Sequence, residues 1–218
     1  STFHFPAKFI DEDKLQVGET VIQANKIILS TGSKPRPLNI PGSEFALTST
    51  DFLNLTKLPS SLLFIGGGYI AFEFAHLAAR CGAEVTILHR GDFPLENFER
   101  DIVKHLVSAT EELGVKIVLQ TEVTEIQEQK DGFKVIAQGN NGTVDFFAAS
   151  VFNSAGRIPG VYDLDLEKGN IKFSKNGIEV NEYLQSTSNQ HVYAAGDTAD
   201  TKGLPLTPVA VYEGHILA

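Results

Sequence analysis

The stretch Ser61-Leu62-Leu63-Phe64-Ile65-Gly66-Gly67-Gly68-Tyr69-Ile70-Ala71 decides the fold. Leu62–Ile65 is a continuous apolar run, the pattern of a parallel strand covered on both faces. Three glycines then turn the chain into a segment whose apolar positions Ile70, Phe74, Leu77 and Ala78 keep helical spacing. Within Gly66-x-Gly68-x-x-Ala71, Gly66 permits the tight turn and Gly68 lets the backbone approach a pyrophosphate. Ala71 allows the helix to pack closely on the strand. The helix start adds oriented N–H donors, so a strand–turn–helix of this composition predicts dinucleotide binding.

The same alternation continues downstream. Gly82 ends the first helix, and Val85–Leu88 reads as a second buried strand. Asn97 stands where it can cap a helix with Phe98, Ile102, Leu106, Ala109 and Leu113 along one stripe, closed by Gly114. Val115–Leu119 is the third strand. The β-α-β-α-β series predicts an α/β fold, a doubly wound parallel sheet of Rossmann type. An antiparallel β-meander follows, with turns at Asp131-Gly132 and Gly139–Gly142 separating Phe133–Ala137 from Val144–Phe147. Val151–Phe152 forms one more strand. Upstream, Ala7–Ile10, Leu15–Val17, Thr20–Ala24 and Lys26–Leu29 read as short strands of a meander, and Pro35, Pro37 and Pro41 then forbid helix. Near the far end Ile178–Val180 and His191–Ala195 read as strands, the second running into Gly196-Asp197.

The end of the second strand is where an Asp or Glu takes the ribose hydroxyls of NAD. Here the chain carries His89 and Arg90. An arginine can hold a 2′-phosphate by charge-assisted bonds, which favours NADPH and leaves NADH open; Asp92 and Glu96 weigh against the basic assignment. Asp197, after a glycine at a strand end, can hold ligand hydroxyls or simply cap the next turn. Leu206-Thr207-Pro208 reads as a helix start with Pro208 in the first turn, whose dipole favours negative charge on a ligand.

Composition narrows the field. The 218 residues carry 18 Lys+Arg against 27 Asp+Glu, a net charge of −9 with no basic run, which excludes nucleic acid as a leading partner. No apolar run approaches the ~18 residues of a membrane span, and no signal sequence is visible. The single cysteine, Cys81, can make neither an intrachain disulfide nor a thiolate metal site, and it reads as a small buried residue. No metal site is expected. A reducing, cytoplasmic setting fits this usage.

Five ordered motifs carry a resemblance over essentially the whole chain. They are Thr31-Gly32-Ser33 with Ile40-Pro41-Gly42, Gly66-Gly67-Gly68-Tyr69-Ile70-Ala71-x-Glu73, Gly156-Arg157-x-Pro159, Ala195-Gly196-Asp197, and Leu206-Thr207-Pro208-Val209-Ala210. Together they resemble the pyridine nucleotide-disulfide oxidoreductases, in the branch of glutathione reductase, dihydrolipoamide dehydrogenase and mercuric reductase. The resemblance implies that hydride passes from NAD(P)H to FAD and on to a small-molecule disulfide. It implies three parts: a partial FAD-binding domain at 1–43, an NAD(P)H-binding domain at 44–157, and the remainder of the FAD-binding region at 158–218. Gly66, Gly68, Tyr69, Ile70, Ala71, Glu73, His89, Arg90, Gly156 and Arg157 would serve NAD(P)H, with Tyr69 and Glu73 lining the nicotinamide pocket. Thr31, Gly32, Gly196, Asp197, Leu206, Thr207 and Pro208 would serve FAD.

Departures from the family pattern matter too. A C-x4-C redox pair and a C-terminal dimer domain with a catalytic His and Glu are not in these residues, so no catalytic residue is assigned here. The chain is expected to be an internal section of a longer protein, homodimeric in the parent, with a monomer open for the section alone. Glu96 stands near where NADP-preferring members carry a second Arg, and Gly160 where an Asn is common. A nucleotide-binding module without turnover, and a flavin reductase independent of disulfides, stay open as alternatives.

Overall fold

The structure, a computed structural model, describes residues 1–217. Ala218, the last residue of the expected 158–218 segment, lies outside them. The chain divides into two compact units, Pro35–Gly156 and the combination of Ser1–Lys34 with Arg157–Ala218.

The Pro35–Gly156 unit is built on a four-stranded parallel sheet. Its strands lie in the order Ser150–Asn153, Ser61–Ile65, Glu84–Leu88 and Lys116–Val118. Alternation along each strand sends side chains to two different covers. Leu62, Phe64, Val85, Ile87 and Phe152 face helix α2 (Tyr69–Arg80) and helix α3 (Arg100–Glu112). Leu63, Ile65, Leu88 and Val151 meet Val123, Ile126, Val135 and Ala137 of an antiparallel sheet formed by Glu122–Gln129, Gly132–Gly139 and Gly142–Ala148. Each of these large side chains gains roughly 1.5–3 kcal/mol from burial. The short helix α1 (Ser49–Leu53) adds Phe52, stacked on Phe74 at 4.0 Å between ring centroids.

The other unit contains a three-stranded antiparallel meander, Ala7–Asp11, Lys14–Val17 and Thr20–Gln23. Ile27–Leu29 leaves that meander and pairs in parallel with Val192–Ala194. Gly177–Glu179 pairs antiparallel with Phe173–Ser174 and parallel with Ala199–Asp200. Phe9, Ile27, Leu29, Leu166, Ile178 and Val192 form its core, and helix α4 (Thr207–Leu217) closes the chain.

Several expectations change. Ile27–Leu29 is not a fourth meander strand, because its hydrogen-bonding partner comes from far along the chain. Helix α3 begins at Arg100 with Glu99 as N-cap rather than Asn97, and Phe98 and Ile102 are exposed. Its buried residues are Val103 and Thr110. Thr110 is tolerated inside because its hydroxyl donates to the Leu106 carbonyl at 2.6 Å and meets His76 Nε2 at 2.8 Å. Leu77 points outward from α2, and Cys81, just past the helix end, is exposed rather than buried. Among the described residues, no helix is long and apolar enough to cross a membrane, and no cluster of three or more His, Cys, Asp or Glu has the arrangement of a metal site.

Candidate nucleotide and flavin sites

The glycine turn lies between the end of the Ser61–Ile65 strand and α2. Gly66 adopts φ +105°, and a Cβ there would stand 2.5 Å from the Ser154 carbonyl oxygen, so only glycine fits. Gly68 differs. It is extended, and a Cβ there would meet nothing nearer than Ser154 O at 3.7 Å, which leaves open space above the turn. Gly68 N-caps α2 without a side-chain cap, and the helix's first turn contains no acidic residue. The orphan N–H groups of that turn are therefore free for an anion. Ala71 is fully buried, where a small residue lets the helix sit close to the sheet.

A pocket of about 660 Å³ opens over this turn. Its lining includes Gly66, Gly68, Tyr69, His89, Arg90 and Gly156 from the expected set and Glu96, weighed above against the basic assignment, together with Arg36, Leu38, Thr121 and Val123, which the sequence did not single out. Ile70, Ala71, Glu73 and Arg157 are not in the lining. Glu73 lies exposed one helical turn beyond the half-exposed Tyr69. Arg90 is exposed and has no ion-pair or hydrogen-bond partner among the described residues. Its neighbour His89 is turned inward, with both ring nitrogens engaged: Nδ1 lies 3.2 Å from the Gly67 N–H and Nε2 lies 3.0 Å from the Phe93 carbonyl. A glycine cradle that a Cβ would fill, an uncapped helix start and an unpaired arginine in one pocket fit a pyridine nucleotide.

Arg157 belongs to the other unit, where its guanidinium donates to Ser33 Oγ at 2.8 Å and to Ser33 O at 2.5 Å. The flavin candidates gather in that unit around the 3-10 turn Gly196–Thr198. Gly32 N–H donates to Thr198 Oγ1 at 2.7 Å, and the Thr31 hydroxyl lies 3.4 Å from the same oxygen. Ser33 Oγ donates to Asp197 Oδ2 at 2.7 Å; no described residue bonds Oδ1, which fits a carboxylate held ready for a ligand hydroxyl. Gly160 packs against the same segment, and a Cβ on it would lie 2.8 Å from Thr31 O. A side chain at this position would require that segment to shift. Thr207 opens α4 with Pro208 in its first turn, and both are exposed, as is Leu206.

Sequence reasoning missed three residues that hold these turns in place. Ser154 donates to the carbonyls of Ile65 and Gly66, each at 2.9 Å, pinning the strand end to the glycine turn. Thr198 is fully buried where it receives Gly32. Glu213 is a buried carboxylate that accepts from Gly196 N–H at 2.7 Å and from Thr201 Oγ1 at 2.9 Å. An acid directly following the apolar run Val209–Tyr212 was the available signal for Glu213; Ser154 and Thr198 carry none.

Comparison with known proteins identifies the family. A family model described as pyridine nucleotide-disulphide oxidoreductase matches residues 3–214. A glutathione reductase of Nostoc sp. is 34% identical over 97% of this chain and 48% of its own length. A mercuric reductase of Staphylococcus aureus is 33% identical over 97% of this chain and 39% of its own. A dihydrolipoyl dehydrogenase of the same species is 34% identical over 97% and 46%. Among solved structures, the HOCl-induced flavoprotein disulfide reductase RclA from Escherichia coli superposes with a TM-score of 0.87 at 29% identity, covering 98% of this chain and 48% of that one. The chain thus spans less than half the length of each of these proteins.

Proposed function

Because the chain belongs to the pyridine nucleotide-disulphide oxidoreductase family, we propose that it is the cofactor-holding section of a flavin-dependent NAD(P)H:disulfide oxidoreductase of glutathione-reductase type. The observation that carries this is the pocket over Gly66–Gly68, where the uncapped start of α2 and the unpaired Arg90 face the same space. The 44–157 segment would bind the nucleotide; 1–43 and 158–218 would contribute to the flavin site.

In this assignment the first turn of α2 receives the pyrophosphate, and Ala71 and Ile70 keep the helix seated on the sheet. Tyr69 and Glu73 stand at the nicotinamide end, and Gly156 brings its backbone to the cofactor. Asp197, following Gly196, holds hydroxyls of the flavin's chain, and Thr31 and Gly32 form the edge of the flavin site. Thr207, Leu206 and Pro208 bring a helix start to its ring. Bound FAD would relay two electrons from the nicotinamide to the disulfide. Such thiol chemistry suits the reducing cytoplasm, and the whole protein would work as a homodimer on a small-molecule disulfide.

Arg90 favours NADPH. The exposed Glu96 carboxylate in the same lining favours NADH, and with it a dihydrolipoyl-dehydrogenase-like parent. Calorimetric titration of the chain with both nucleotides separates them. NADPH is expected to bind more tightly, and Arg90→Ala to weaken it about ten-fold or more while leaving NADH nearly unchanged. Equal losses for the two nucleotides would remove the 2′-phosphate role.

A further inference from the structure

His89 occupies the position from which an acidic residue reaches the adenosine ribose, yet its ring points the other way. Its side chain is only 12% exposed. Gly67 N–H can only donate and the Phe93 carbonyl can only accept. The contacts of 3.2 Å at Nδ1 and 3.0 Å at Nε2 therefore pair Nδ1 as acceptor with Gly67 N–H and Nε2–H as donor with the Phe93 carbonyl, and Glu96 Oε1 also lies 3.6 Å from Nε2. Gly67 is held on its other side as well, its carbonyl accepting from Leu95 N–H at 3.0 Å. A Cβ on Gly67 would stand 3.0 Å from His89 Cγ and 3.1 Å from Pro94 Cβ, so the imidazole lies directly beneath the turn.

From this geometry we propose that His89 is a positioning residue for the nucleotide's pyrophosphate. It clamps the central peptide of Gly66-Gly67-Gly68 from below and leaves adenosine recognition to Arg90. Gly67 N–H is spent inside the protein, so the anion is received by the N–H groups that follow it, at the start of α2. Anion affinity at a glycine turn depends on those amides being aimed before the ligand arrives, since otherwise ordering the turn opposes binding. A single imidazole joins the end of the Glu84–Leu88 strand, the Phe93–Leu95 loop and the glycine turn, and so sets that aim.

This inference rests on the nucleotide site proposed above. Two polar substitutions test it, because each keeps one of the two ring contacts. His89→Asn places an oxygen acceptor where Nδ1 was, under Gly67 N–H. His89→Gln places an amide where Nε2 was, opposite the Phe93 carbonyl. NADPH binding to the full 218-residue chain is expected to stay within about three-fold of the parent in His89→Asn and to weaken about ten-fold in His89→Gln, the size of one lost hydrogen bond. Long-range proton–nitrogen NMR of the unliganded chain should show a bare Nδ1 and a protonated Nε2. Equal losses in the two variants, no loss in His89→Gln, or a ring protonated on Nδ1 would overturn the clamp and leave the nucleotide site standing. A parent chain that binds neither NADPH nor NADH would instead overturn the site itself.

Discussion

Gly66 and Gly68 look alike in the sequence and do different work. At Gly66 the backbone conformation and the 2.5 Å approach of Ser154 O both exclude a side chain. Gly66→Ala should therefore cost about 2–3 kcal/mol or more of stability, read by denaturant melts. At Gly68 the extended backbone accepts alanine and the space is open. Gly68→Ala should leave stability within about 0.5 kcal/mol of the parent and weaken NADPH binding about ten-fold or more, because in the proposed site the methyl group would stand in the path of the pyrophosphate. If both variants lose stability alike, the division of labour is wrong. The motif was legible in the sequence because its requirements are local: a strand, a turn and a helix start within eleven consecutive residues. His89 was legible only as a departure from the acidic residue expected there. The direction of its ring follows from the Phe93–Leu95 loop folding back beneath the glycines, which no short spacing encodes.

At the scale of an element, α1 shows how a very short helix is kept. Thr48 and Asp51 form a capping box: Thr48 N–H and hydroxyl each donate to Asp51 Oδ2 at 2.7 Å, while Asp51 N–H meets the threonine oxygen at 3.5 Å. The helix places Phe52 against Phe74 and Phe152. Thr48→Ala should cost about 1 kcal/mol, visible as a lower denaturation midpoint at unchanged slope. Hydrogen bonds from the Thr48 side chain, then from its backbone, hold the Asp51 carboxyl below its ordinary value. A depressed carboxyl stabilises the fold fully above its unfolded pKa and loses that contribution as pH falls through the lower folded value. The stability gap between the parent and Asp51→Asn should therefore be constant near neutrality and close in the acid range, below the ordinary titration of aspartate. A gap that widens on acidification would contradict the capping role. Helix α3 shows where periodicity fails. The leading part of the expected apolar stripe, Phe98 and Ile102, is exposed while Leu106 packs on the core, and a threonine, satisfied by its own helix and by His76, takes an inner position. Binary patterning scores a buried threonine as polar and cannot see the bonds that make it acceptable.

On the scale of the molecule, the two units should answer a nucleotide differently. All residues lining the pocket lie within Pro35–Gly156. At a hundred times its dissociation constant a ligand adds about 2.7 kcal/mol to whatever unfolds with its site. Hydrogen exchange with saturating NADPH should slow in the core of that unit, at Leu63, Phe64 and Ile87, and leave Phe9, Ile178 and Val192 unchanged. Slowing of equal size in both sets would mean that the units open together. The α/β class, the order of the first three parallel strands and the glycine turn were all legible because each rests on neighbours in sequence. The pairing of Ile27–Leu29 with Val192–Ala194 and the tether from Glu213 to Gly196 were not, since each partner is chosen by packing across a long stretch of chain. One feature of the Pro35–Gly156 unit reaches beyond binding. Its two ends are tied to each other, Arg36 N–H donating to Gly156 O at 3.0 Å and Asn153 Nδ2 to Arg36 O at 2.8 Å. A domain whose ends meet can be spliced into a host loop, cut out, or circularly permuted with little strain. In evolutionary terms the Pro35–Gly156 unit is a cassette with a closed neck, and its boundaries mark where recombination can exchange one such unit for another.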